Sequence, residues 1–200
     1  PHACCRYLQS PIDGLIELAV KNDIQPGDVD RVEIAVLEAG WPLVCEPPER
    51  KYAPANAVDA QFSIPFGAAI ALACRSAGLD QFTSGAYLSP EIRDLMGKVV
   101  MVKDSRIEKN YPSEWAANVQ IRLKNGKMFE NYIRFPKGDP ENPLTWDELS
   151  AKFTSLAKRA LPLESCEQIV DAVSKINPST SLRALWKLTA LDAPVAAHSR

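Results

Sequence analysis

The sequence predicts an α+β fold: a small mixed or antiparallel sheet with helices on one face, a two-layer sandwich, followed by C-terminal helices. Three observations predict it. Strand patterns are few, and they alternate with helical ones. Asn125-Gly126 sits between two alternating runs, 118–123 and 128–133, the strongest short hairpin signal there is. From Thr145 onward only helical spacing occurs. The change of pattern divides the chain into residues 1–144, α+β, and residues 145–200, helical.

Ser10-Pro11 reads as a helix start, with serine as cap and proline in the first turn. Ile12, Leu15, Ile16, Leu18 and Ala19 give that helix its apolar stripe, to about Asn22. Gln25-Pro26-Gly27-Asp28 ends it. Val32, Ile34 and Val36 alternate with Arg31, Glu33 and Ala35, which predicts a half-buried strand over 31–37. Residues 40–54 carry four prolines and no periodicity, so a long loop is expected there. A helix over about 58–77 follows, broken near Ser63, because Pro65 is tolerated only in a first turn. Ser89-Pro90 starts a short helix to Lys98, and 99–102 reads as a strand. Thr145 with Glu148 forms a capping box ahead of Leu149, Phe153, Leu156 and Ala160. Two more helices are expected, over about 165–176 and 181–191, then a loose tail from Asp192 to Arg200.

Composition narrows the function classes. Two hundred residues, 46% hydrophobic and 24% charged, suit one large or two small globular domains. The formal net charge of -2 leaves no basic excess for a nucleic-acid partner. No apolar run reaches the roughly 20 residues a membrane-crossing helix needs. Five cysteines without regular spacing read as reduced thiols of a cytoplasmic protein. The two histidines, His2 and His198, lie at opposite ends, so no metal site is expected. A chain opening on Pro1 is expected to be a fragment of a longer protein.

Three segments hold the candidate chemistry. Asp59-Ala60-Gln61-Phe62-Ser63-Ile64-Pro65-Phe66 opens an apolar helix, whose mouth offers free N–H groups and a positive dipole end to a carboxylate. Before it lies Cys4-Cys5-Arg6-Tyr7-Leu8-Gln9-Ser10-Pro11-Ile12-Asp13. After it comes the stiff turn Pro136-Lys137-Gly138-Asp139-Pro140. Ser63 suits a helix cap or a substrate contact, and Phe66 suits a pocket wall or the core. Arg6, Lys51 and Lys137 are candidate partners for carboxylates. Cys4 and Cys5 are nucleophiles only in principle, since no base is clearly paired with either.

In this order the three segments resemble the C-terminal half of the MmgE/PrpD family, whose members include 2-methylcitrate dehydratase, cis-aconitate decarboxylase and an iminodisuccinate epimerase. The resemblance implies a cofactor-independent lyase that abstracts a proton from a small di- or tricarboxylate and eliminates water or carbon dioxide. It implies a cytoplasmic homodimer with no metal, and a helical domain built from residues 145–200 together with a region absent from this chain. Cys5 and Arg6 match the family pattern. Gln9 stands where the family has a proton-handling histidine, and Phe66 where several members have a tyrosine. An amide cannot exchange a proton near neutral pH, and a phenyl ring has none to give. These two positions are the catalytic candidates. Cys5, Arg6, Ser63, Lys51 and Lys137 are the substrate-binding ones. The alternatives are an epimerase or isomerase of dicarboxylates, or a non-catalytic carboxylate-binding or dimerisation module.

Overall fold

The structure is a computed structural model that describes residues 1–190; the expected tail and His198 lie outside the described residues. These divide into two compact units between Pro143 and Leu144.

The first unit is built on four strands: β1 (Val29–Ala35), β2 (Val99–Val102), β3 (Ala117–Leu123) and β4 (Met128–Ile133). Their spatial order is β2-β1-β3-β4. β1 runs parallel to β2, with Val32 opposite Val99, and antiparallel to β3, with Ile34 opposite Val119. β3 and β4 form the hairpin, pairing Gln120 with Glu130. Its loop carries one left-handed residue, Gly126 at φ 84°, while Asn125 keeps an ordinary φ. The turn is therefore of the glycine-bulge type rather than the two-residue type that Asn-Gly most often makes.

Between β1 and β2 the chain crosses one face of the sheet. Helix α1 (Gln9–Lys21) precedes β1. Then come α2 (Trp41–Val44), α3 (Pro48–Lys51), α4 (Ala57–Gln61), α5 (Ile64–Cys74), α6 (Leu79–Thr83) and α7 (Pro90–Gly97). α1 packs on β3 and β4, α5 on α1 and β2, and α7 on α5. Leu8, Ile12 and Leu15 meet Val32, Ile34, Val119 and Ile121 and the α5 residues Ile64, Phe66 and Ile70 in one core. The stretch over 40–54 is thus two four-residue helices rather than plain loop. Each has proline near its start, where a missing N–H costs nothing.

Ser10 is not the α1 cap. The helix begins one residue earlier, and the Ser10 hydroxyl donates to the Trp115 carbonyl instead.

The other face of the sheet is mostly open. One end is covered by α8 (Ser105–Glu108) and the segment after it, where Ala35, Leu37, Ile107 and Ala116 form a second small core. Tyr7 closes that end. Its ring lies 4.9 Å from that of Trp115, and its hydroxyl is 3.2 Å from that of Tyr111. Gly40 sits against the same ring, where an added Cβ would fall inside the Tyr7 van der Waals envelope. The Gly40 backbone, φ −88° and ψ −17°, suits any residue, so the obstacle is steric. Gly40→Ala is expected to cost about 1–3 kcal/mol, read as a lowered thermal midpoint.

Glu114 is buried beside this end and bonds to Arg134 at 2.6 Å and Asn110 at 2.8 Å. The Arg134 guanidinium, then the Asn110 amide, hold its carboxyl below the usual range. A depressed folded pKa adds stability above the unfolded value, about 4.3, and that stability is lost as pH falls through the folded value. Arg134→Gln should therefore lower the urea midpoint at pH 7, and the gap to the wild type should narrow in acid.

The second unit contains α9 (Trp146–Ala157), α10 (Leu163–Ser174) and α11 (Arg183–Leu188). The capping box forms as expected, with Thr145 accepting from the Glu148 N–H at 3.2 Å and Glu148 from the Thr145 N–H at 2.7 Å. Exposed apolar side chains are numerous, among them Trp146, Leu149, Leu156 and Trp186.

Candidate functional site

The first residues run along the α4–α5 corner. Ala3 N–H donates to the Ala77 carbonyl at 3.1 Å, Cys5 N–H to the Gln61 carbonyl at 3.0 Å, and Gln61 Nε2 to the Ala3 carbonyl at 2.7 Å. These bonds bring the Cys4–Asp13 segment beside the mouth of α5.

Gln9, the first residue of α1, is buried, and its amide is fully engaged. Nε2 donates to the carbonyls of His2 and Cys4, each at 3.2 Å, and Oε1 accepts from the His2 N–H at 3.1 Å. The side chain thus brackets the main chain of His2. One turn further along α1, Asp13 Oδ1 lies 2.8 Å from His2 Nε2. Its other oxygen accepts from the Lys137 N–H at 2.7 Å. Residues four apart share a helix face, so Gln9 and Asp13 hold one histidine between them.

His2 and Asp13 were not among the candidates from sequence. The spacing of Gln9 and Asp13 was legible, but the return of residue 2 onto their helix was not. The carboxylate orients the imidazole, and Nδ1 has no hydrogen-bond partner among the described residues.

Arg6 reaches Asp139 at 2.6 Å, and its guanidinium lies 4.9 Å from the centre of the Trp115 ring. Its charge is therefore matched by a carboxylate of the 136–142 turn. Lys137 joins the cluster through its backbone. The Cys5 N–H instead ties the segment to the Gln61 carbonyl at the end of α4. Burial, then Cys5, pushes the neighbouring Cys4 thiol up to about 12, which keeps it protonated and a poor nucleophile at neutral pH.

Ser63 is fully buried at the α5 start. It accepts from the Phe66 N–H at 3.1 Å and donates to the Lys51 carbonyl at 2.6 Å. The expected cap is present. Lys51 turns its ammonium to the Leu43 carbonyl at 2.6 Å, and burial lowers its pKa. Phe66 has no exposed surface; its ring meets Phe82 edge-on at 5.5 Å and Tyr87 at 6.1 Å.

The seven candidates form two adjoining groups. Gln9 and the Lys137 backbone bond to His2 and Asp13, Arg6 reaches the same 136–142 turn through Asp139, and Cys5 bonds to Gln61, while Ser63, Lys51 and Phe66 belong to the α5 start. A polar hollow of about 300 Å³ lies on the open face of the sheet, and none of the seven lines it.

The sequence profile of the MmgE/PrpD C-terminal domain matches residues 2–176. The chain belongs to the MmgE/PrpD family. Among curated proteins, the cis-aconitate decarboxylase-like protein oryM of Aspergillus oryzae is 28% identical over an alignment 168 residues long that covers 80% of this chain and 33% of that protein. The chain thus spans about one third of the length of the curated relative it matches. The MmgE/PrpD match takes in all seven candidates as well as His2 and Asp13, and it extends through α9 and α10.

Proposed function

We propose that this chain is the C-terminal part of a cofactor-independent lyase that acts on a small di- or tricarboxylate by moving a proton at a carbon next to a carboxylate. The observation that carries the reading is the His2–Asp13 pair, held in the Gln9 bracket. A proton-handling group is what Gln9 itself cannot be, and here the amide positions an imidazole instead. Family membership and the name of the Aspergillus relative support a carboxylate substrate, with decarboxylation, dehydration or epimerisation as the outcome. The exposed apolar side chains of α9 and α10 fit helices that complete a domain with other parts of the protein.

Within the α+β unit, Arg6 is matched by Asp139 and Lys51 by a carbonyl. The cations that grip the substrate are therefore assigned mainly to the rest of the protein. The full-length protein is expected to convert cis-aconitate or 2-methylcitrate, and the 200-residue chain alone to be inactive. Assay of both, by release of carbon dioxide and by ultraviolet absorbance of the alkene, tests this. Turnover by the chain alone, or none by the full-length protein with any di- or tricarboxylate, refutes it.

One observation favours a second reading, a non-catalytic carboxylate-binding module. The Phe66 ring is sealed in the core and carries no hydroxyl. Binding of tricarboxylates by full-length protein in a calorimeter, without turnover, would select that reading.

A further inference from the structure

We propose that Asn125, at the tip of the β3–β4 hairpin, is a modification site where the side-chain amide is lost and the chain passes into aspartyl and isoaspartyl forms. The reaction needs an uncrowded main-chain N–H after the asparagine, a side-chain carbonyl carbon within its reach, and water.

Asn125 alone among the asparagines precedes glycine. Each of the others precedes a residue whose side chain crowds that nitrogen or, at Asn142 and Asn177, a proline that has no N–H. Every residue from Lys124 to Met128 is exposed. A Cβ built on Gly126 would meet nothing within 4 Å, so neither ring closure nor entering water is obstructed.

The side chain is already folded toward the nucleophile. Asn125 Oδ1 accepts from the Lys127 N–H at 3.0 Å, two residues on, which lays the carboxamide across the intervening Gly126 peptide. The same bond draws electron density from Cγ and supplies a donor to the oxygen as it gains charge. Arg122 is matched by Asp30 at 2.7 Å and Lys98 by Asp94 at 2.6 Å. Lys124 and Lys127 leave the tip itself positively charged, which favours an amide anion there. One bond opposes the reaction: the Gly126 N–H donates to the Leu123 carbonyl at 2.9 Å. It lies at the exposed end of the ladder, where local opening costs least.

Once that bond opens, solvent base takes the Gly126 amide proton and the nitrogen attacks Asn125 Cγ. The new N–Cγ bond closes a cyclic imide as the Cγ–Nδ2 bond breaks, and Nδ2 leaves as ammonia with a proton from water. Water then opens the ring at either carbonyl. The sum consumes water, releases ammonia and leaves a carboxylate where the amide was. In the isoaspartyl product the main chain is longer by a methylene.

The test is incubation of the 200-residue chain at pH 7 and pH 9, beside a synthetic peptide of residues 119–130, with peptide mapping by mass spectrometry. The expected result is the mass gain of amide-to-acid exchange at Asn125, faster at pH 9, and slower in the folded chain than in the peptide. Part of the product should accept a methyl group from an isoaspartyl methyltransferase. Gly126→Asn keeps a residue that tolerates the left-handed turn but sets a side chain beside the nitrogen, and should slow the gain at Asn125 about tenfold. A folded chain that stays unmodified while the peptide converts, a gain spread evenly over the exposed asparagines, or an unchanged rate in Gly126→Asn would overturn the assignment. The readout is a chemical change in this chain and is independent of any lyase activity.

Discussion

Phe66→Ala is expected to destabilise the first unit by about 3–5 kcal/mol, measured as a shift in the urea transition. The ring has no exposure and is wedged between Phe82 and Tyr87 in the core that joins α1, α5 and the sheet. Removing it leaves a cavity that helices on three sides cannot collapse to fill. The sharper comparison is Phe66→Tyr. A hydroxyl placed at the rim of this ring enters apolar surroundings and, if unpaired, costs about 1–3 kcal/mol. A tyrosine variant as stable as the wild type would show that the position has a polar outlet, and would restore the hydroxyl that several family members carry there.

His2→Gln in the full-length protein is expected to lower turnover about 100-fold or more, with substrate affinity little changed. Glutamine can occupy the space and donate to Asp13, but it cannot carry a proton back and forth. Asp13→Asn should have a smaller effect, because it leaves the imidazole in place while weakening the 2.8 Å contact that orients it. Retained stability in both variants, checked by the urea transition, separates lost chemistry from lost folding. Unchanged turnover in His2→Gln would remove the histidine from the mechanism.

Where the fold was legible in the sequence, the signal was local. The β3–β4 hairpin followed from alternation around Asn125-Gly126, and β2 from four consecutive apolar residues. The Thr145 capping box and the Ser63 cap needed only contacts between residues three apart. The four-residue helices α2, α3 and α8 escaped because they are shorter than any helical period pattern. Ser10 was read as a cap, yet its hydroxyl had a distant carbonyl to satisfy, at Trp115. The sheet order could not be read at all, since the β1–β2 pairing joins residues more than sixty apart. The site divided in the same way. Ser63, Gln9 and Arg6 were visible as residues. That Gln9 is consumed in holding His2, and Arg6 in holding Asp139, depends on contacts which no spacing announces.

Two bonds stitch the turn after β4 to the beginning of the chain: Arg6 to Asp139, and Asp13 to the Lys137 N–H. Pro1 also lies against Gly138, where an added Cβ would sit 3.6 Å from its ring. Entrance and exit of the α+β unit are therefore neighbours, fastened like the clasp of a bracelet. A body closed in this way can be spliced into the middle of another domain without stretching either, and that host would feel it as a single point of attachment.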